Sequence, residues 1–255
     1  MRFASLGSGS KGNAWLVEKN STRVLIDCGF GVREMAGRLA RLGLAPSDVS
    51  AILITHEHSD HARGAARFSA KHACPVWMTP GCRTMLEATG ERIEQGHEVD
   101  SHGVFSVGDI EFHPYPVPHD AREPVQYVVT DGACRWGLLT DAGHVTAHMV
   151  AMLDGCDALA LECNHDVDRL RRGGYPAALK TRILGRYGHL DNAAAADLLG
   201  RIDYRRLQHV VAAHLSEENN TPDLARAALA GVLQCDPDWI GVADQEQGMA
   251  WRSIV

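Results

Sequence analysis

The chain has 255 residues, 45% hydrophobic and 22% charged, enough apolar material for one substantial core beneath an ordinary polar surface. No apolar run approaches the roughly 20 residues needed to cross a bilayer, and residues 1–7 lack the apolar stretch of a secretory signal, so the expectation is a cytoplasmic protein with no membrane partner. A net charge of −7 argues against a surface that wraps nucleic acid, and seven cysteines with no Cys-x-x-Cys pair read as free thiols in a reducing compartment rather than a zinc knuckle.

In chain order, residues 3–6 form a short apolar run that stops at Gly7-Ser8-Gly9-Ser10-Lys11-Gly12-Asn13, too glycine-rich for a regular element. That loop admits two readings. Its successive N–H groups could cradle an anion, with Ser10, Lys11 and Asn13 as phosphate or substrate contacts, or it is a tight turn that supports its neighbours. It is not a P-loop, because the full glycine spacing and the Gly-Lys-Ser/Thr ending are missing. Residues 14–18 and 23–27 read as a hairpin turning at Asn20, and residues 32–42 carry apolar side chains at helical spacing, with Gly43 as the cap. Residues 51–54 are an uninterrupted apolar strand that runs into Thr55-His56-Glu57-His58-Ser59-Asp60-His61. A helix is expected over 62–70, a strand over 75–78 and a proline-led helix over 80–88. Strands follow over 102–140, broken by the proline-rich 113–118 segment, and again over 158–162. The remainder is mainly helical, with a strand over 210–213 before His214; with no repeat or low-complexity linker, a single domain over 1–255 is expected.

Fourteen histidines are many for this length, and several are grouped with acids. Four ligand-capable side chains, His56, His58, Asp60 and His61, fall within six residues. Alternation in an extended segment can point His56 and His58 one way, and a bend at Ser59 can turn Asp60 and His61 toward a neighbouring position. Such spacing suits two adjacent metals better than one tetrahedral site. His119, Asp141 and His214 are further candidates. His119 follows Pro116-Val117-Pro118, whose restricted dihedrals can fix its approach. Asp141 and His214 each end an apolar strand, and a carboxylate at 141 can bridge two cations with its two oxygens.

The 56–61 segment resembles the signature of the metallo-β-lactamase superfamily, and the later ligands match its order along nearly the whole chain. The resemblance is greatest to the bacterial YycJ/WalJ/VicX-like branch, and more distantly to tRNase Z. That branch combines an N-terminal loop like Ser8-Gly9-Ser10-Lys11-Gly12-Asn13 with a C-terminal segment like His214-Leu215-Ser216-Glu217-Glu218-Asn219-Asn220. It implies an α+β fold, a four-layer αββα sandwich. It also implies that His56, His58 and His119 hold one metal, that Asp60, His61 and His214 hold the second, and that Asp141 bridges. The expected cofactors are two divalent ions, zinc or manganese with iron as a third option, and manganese is expected to support nuclease activity.

Two cations can stabilise the attacking and leaving oxygens of an in-line phosphoryl displacement, with Asp60 or Asp141 orienting the nucleophile. A proton donor must stand outside the ligand set. His165 is the leading candidate, since Glu162 precedes it and the two could share a hydrogen bond that fixes the imidazole tautomer. His189 competes as donor or phosphate contact, although Asp191 departs from the serine common in the branch. Asn164, Asn219 and Asn220 are further candidate phosphate or substrate contacts. Residues 169–206 hold nine Lys/Arg against three Asp, a local excess of six positive charges that would suit one phosphate-facing edge or a solvated helical face. The expected function is hydrolysis of phosphodiesters at DNA ends, with DNA favoured over RNA. The alternatives are a small-molecule hydrolase of a thioester, lactone or cyclic phosphodiester, and a noncatalytic regulatory protein, which should have lost a ligand.

Overall fold

A computed structural model describes residues 1–255. Its first half lays down β1 (Arg2–Gly7), β2 (Ala14–Lys19), β3 (Thr22–Ile26), α1 (Val32–Arg41), β4 (Ala51–Leu53), α2 (Ser59–Ala62), α3 (Ala65–His72), β5 (Val76–Met78), α4 (Pro80–Ala88) and β6 (Gly96–Glu98). The second half continues with β7 (Phe105–Val107), β8 (Ile110–Pro116), β9 (Val125–Thr130), β10 (Arg135–Leu139), α5 (Ala147–Leu153), β11 (Ala158–Glu162), α6 (Val167–Arg172), α7 (Ala177–Ile183), α8 (Asn192–Gly200), β12 (His209–Ala213), α9 (Pro222–Leu233), β13 (Gly241–Val242) and β14 (Met249–Ser253). Two seven-stranded sheets result, in the orders β14-β1-β2-β3-β4-β5-β6 and β13-β12-β11-β10-β9-β8-β7. In each, antiparallel hairpins give way to parallel strands linked by helices.

The central strands are apolar on both faces because each is covered on both faces. Along β2, Trp15 and Val17 face the other sheet while Ala14 and Leu16 face helices; along β4, Ala51 and Leu53 alternate with Ile52 in the same way. The second sheet repeats the pattern, with Val211 and Ala213 inward and Val210 and Ala212 toward α8 and α9. Such two-faced burial is what an uninterrupted apolar run encodes. Between the sheets the Phe3 ring stacks on Trp136 at 4.8 Å, and the small Ala158 and Ala160 make room for that bulk. The outcome is the expected four-layer αββα sandwich.

Three local expectations are corrected. The helix expected over 62–70 begins earlier, at Ser59, and breaks at Arg63-Gly64. Gly64 donates to the Cys28 carbonyl, and a Cβ there would lie 2.0 Å from the Phe30 oxygen. The prolines at 114 and 116 do not interrupt a strand: β8 runs through both, in register with β9. β7 pairs only with residues 110–112, so these two residues have their hydrogen-bonding positions on an edge where no N–H is required. Finally, β14, which the pattern did not reveal, pairs antiparallel with β1. No helix is long and apolar enough to cross a membrane.

Candidate metal centre

The parallel strands deliver the site from their carboxyl ends. Asp27 follows β3, residues 55–61 follow β4, Asp141 follows β10, Asn164 follows β11 and His214 follows β12. Asp27, Asp141 and His214 all take left-handed backbone conformations, with φ of 66°, 53° and 53°. A non-glycine residue held so costs on the order of 1–3 kcal/mol, and such strain collects where side chains must be aimed rather than merely packed.

The bend expected at Ser59 is the single helical turn α2, which starts as His61 and Ala62 donate to the His58 carbonyl. His56 Nε2 and His58 Nδ1 stand 3.1 Å apart, and His119 Nε2 is 3.2 Å from the same His58 nitrogen. On the other side of that turn, Asp60 Oδ2 lies 3.3 Å from His61 Nε2 and 3.5 Å from His214 Nε2. Asp141 sits between the sets, with Oδ2 3.1 Å from His61 and Oδ1 3.5 Å from His214 and 4.0 Å from His119. The structure thus brings all seven sequence-derived ligands together.

Tetrahedral donors at about 2.0–2.1 Å from a zinc ion stand roughly 3.3 Å from one another, close to the separations found here. Asp141 Oδ2 and His214 Nε2 are buried and, despite charged neighbours at 3.1–3.5 Å, make no well-aligned hydrogen bond, as atoms aimed at a cation would. The residues therefore fit two divalent ions. The electrostatics agree. Burial opposes charge on His214, yet Asp141, Asp60 and Glu162 push it up to about 10. His61 is likewise held well above the usual histidine range against burial by Asp141, Asp60 and Asp27. The carboxylates demand positive charge at this spot.

The ring orientations come from a buried residue that sequence reasoning missed. Asp27 Oδ2 accepts from His61 Nδ1 at 2.7 Å, and Asp27 also accepts the Thr55 hydroxyl at 3.0 Å. Because that hydroxyl gives its only proton to the carboxylate, its oxygen accepts from His56 Nδ1, 3.0 Å away. His119 Nδ1 donates to the Gly188 carbonyl at 3.0 Å. All three rings are thereby fixed with Nε2 toward the centre. Close backbone approach fixes the chain beneath them. Cys28 donates to the His61 carbonyl and Asn13 to the Asp60 carbonyl, with Gly29 between; a Cβ on Gly29 would lie 1.8 Å from Asp60 O.

The expected Glu162–His165 hydrogen bond is not formed. Glu162 Oε1 instead meets His189 Nδ1 at 2.8 Å, and Oε2 accepts the N–H groups of Ala142 and Leu190. Glu162 thus holds His189, and the two stand with Asp141 and His214 in a further group of potential metal-holding side chains. His189 lines the cavity beside the ligands, whereas His165 is buried, meets Asn164 Oδ1 at 3.2 Å through Nδ1 and does not line it.

Of the other candidate contacts, Ser10 and Asn164 line the cavity. Lys11 points its amine at Glu217, 2.7 Å away on the surface. Asn219 and Asn220 are buried and do not line it: Asn219 bonds Ser216, and Asn220 bonds the Cys163 carbonyl and Asn192. The glycine-rich loop acts as a supporting turn, since most of its N–H groups are already used, while Ser10, whose N–H has no protein partner, is the loop residue at the cavity. Gly9 donates to Asn13, Gly12 to Gly9 and Lys11 to the side chain of Gln245, another residue sequence reasoning missed. Ser8 Oγ accepts from the His214 N–H, and the Asn13 amide nitrogen lies 3.4 Å from Asp60 Oδ2, so the loop braces two of the ligands. Nor does the basic segment form one edge. Arg182 lines the cavity, but Arg205 and Arg206 pair with Asp203 and Asp157 before β12, roughly 15 Å away at the opposite strand end.

A family model described as "Beta-lactamase superfamily domain" matches residues 22–214. The chain is 35% identical over 240 residues to the exodeoxyribonuclease YycJ of Bacillus anthracis, covering 92% of this chain and 89% of that protein. It is 33% identical over 236 residues to the exodeoxyribonuclease WalJ of Streptococcus pneumoniae, covering 91% and 88%. Among solved structures, the metallo-β-lactamase fold protein YhfI from Bacillus subtilis is similar with a TM-score of 0.76 at 14% identity, over 98% of both chains, a likeness of fold.

Proposed function

This chain belongs to the metallo-β-lactamase superfamily, in its YycJ/WalJ-type nuclease branch, and on that footing we propose that it is an exodeoxyribonuclease that hydrolyses phosphodiesters at DNA ends. The observation that carries this reading is the pairing of two ligand sets joined through Asp141 with a Glu162–His189 dyad 3.3 Å from that carboxylate. A pair of divalent cations, when bound, supplies Lewis acidity toward a phosphoryl oxygen and lowers the pKa of water. His56, His58 and His119 would hold one, Asp60, His61 and His214 the other, with Asp141 shared. Glu162 fixes His189 through Nδ1, which leaves Nε2 as the ring nitrogen free to deliver a proton to the departing sugar oxygen. The donor set accepts zinc, manganese or iron, and we propose manganese for turnover. Seven free cysteines fit a reducing compartment, which supports a cytoplasmic setting for this activity.

One observation favours a second reading, hydrolysis of a small thioester, lactone or cyclic phosphodiester: Arg182 is the only Lys or Arg lining the cavity. Metal-stripped protein reconstituted separately with manganese and zinc, assayed on end-labelled single- and double-stranded DNA and RNA beside a small-ester panel, separates the two. Metal-restored release of nucleotides from DNA ends is expected. Robust ester turnover without it would replace the first reading with the second.

A further inference from the structure

The metal centre accounts for a phosphate but not for the rest of a nucleotide. The cavity beside it holds about 270 Å³, small against the roughly 300–1,000 Å³ of common ligand pockets, so it takes one unit of a polymer rather than a duplex. One wall is the ligand set. The facing wall is α7 with its lead-in, where Tyr175, Leu179 and Ile183 line the cavity. Leu179 and Ile183 are four residues apart on α7 and share one face, and Tyr175, just before the helix, extends that apolar lining into a stripe along the cavity. Tyr175 and Leu179 are half-buried, with surface to offer, and Ile183 closes the base of the stripe. Arg182 stands beside it. Its Nε is held by Asp120 Oδ2 at 2.6 Å, and neither terminal amino group has a protein partner. A wall of metal-ligating side chains opposite an apolar aromatic wall, with one guanidinium beside it, matches a nucleotide: anion at one end, flat apolar base at the other.

Resting on the phosphodiesterase reading above, we propose that α7 is a nucleobase platform. The terminal base lies on Tyr175, over Leu179 and Ile183, while Arg182 takes a phosphate oxygen through its free amino groups. Stacking of a base on an aromatic ring is sequence-tolerant, because every base has a π-face, so the platform selects nucleotides over other phosphodiesters without reading sequence.

The test compares two substrates with the same leaving group, thymidine 5′-(4-nitrophenyl phosphate) and methyl 4-nitrophenyl phosphate, on the metal-loaded enzyme. Wild type should prefer the thymidine ester in kcat/KM. In Tyr175→Ala that preference should fall about 10- to 100-fold, the range for losing one stacked base, and in Tyr175→Phe it should be kept. Leu179→Asn should lower it independently of the ring. A wild-type preference that survives in both Tyr175→Ala and Leu179→Asn would overturn the platform while leaving the phosphodiesterase reading intact. Failure of wild type to turn over either ester would overturn that reading and the platform together.

Discussion

The Glu162 carboxylate meets His189 Nδ1 at 2.8 Å, and the same nitrogen lies 3.3 Å from Asp141 Oδ1, so one imidazole touches both its holder and the shared metal ligand. On the proposed reading, His189 is the group that would move a proton at the departing oxygen. His189→Ala should keep both metals and lower turnover of natural DNA ends by about 10²–10⁴-fold, the range for a positioned proton-transfer group. The defect should shrink on a 4-nitrophenyl ester, whose departing oxygen needs no proton. His165→Ala should show no such dependence on the leaving group. An equal loss on both substrates in His189→Ala would mean that this residue positions rather than protonates.

Asp141→Asn should disrupt metal binding far more than folding. The side chain reaches both ligand sets, and an amide offers one neutral oxygen where the carboxylate offers two charged ones. The expected result is one metal per chain instead of two, with activity lost and thermal unfolding little changed. Two tightly bound metals with normal turnover would remove Asp141 from the bridging position.

Much of this arrangement was legible in the chain itself, for stated reasons. The run at 51–54 signalled a strand covered on both faces, and Thr55 to His61 concentrated donors too densely for an ordinary loop. What was not legible depends on register. Asp27 looks like any strand-terminal acid until the parallel pairing of Ile26 with Leu53 sets it against Thr55 and, through the turn, against His61. Gln245 reaches the loop at 9–12 from the far end of the chain. The choice between His165 and His189 rested on adjacency to Glu162, but the Leu190 N–H donates to that carboxylate and brings its neighbour His189 in from 27 residues downstream.

Asp27→Ala should weaken metal binding about 10- to 100-fold, the usual effect of removing the partner that orients a ligating imidazole. It acts on both sets at once, on His61 directly and on His56 through Thr55. Thr55→Val should reproduce only the His56 part. Metal titrations of the two variants check this, and equal effects from both would contradict the branching of the hydrogen bonds.

Metal binding should release protons. Without a cation, burial opposes charge on His61 and His214, but the surrounding carboxylates outweigh it and hold both imidazoles protonated at neutral pH, His214 up to about 10. Ligation needs the neutral ring, so the cation displaces those protons and apparent affinity rises with pH, by up to about tenfold per unit for each proton released. Calorimetry at pH 7 in two buffers of different ionisation enthalpy should show at least one proton released for the metal bound by Asp60, His61 and His214. A buffer-independent heat would show that the rings are already neutral.

Two glycines should respond in opposite ways to the same added methyl group. Gly37 lies exposed inside α1, and a Cβ at that position would meet nothing within 4 Å, so Gly37→Ala costs no contact and removes backbone freedom from the unfolded chain. It should stabilise the protein by about 0.4–1 kcal/mol and leave metal content alone. At Gly29 the new carbon would lie 1.8 Å from the Asp60 carbonyl and 2.6 Å from the Asn13 nitrogen, both backbone atoms that no side-chain rotation can clear. Relief requires the turn carrying Asp60 and His61 to move away from Cys28 and Asn13, whose hydrogen bonds now hold it. Gly29→Ala should therefore lower thermal stability and cost the second metal. If it unfolds the chain outright, the weaker Asn13→Ala, which keeps the backbone bonds but removes the amide 3.4 Å from Asp60 Oδ2, isolates the same effect. Two full metals in both variants would show that Asp60 is held by its own turn and not by the strands beneath it.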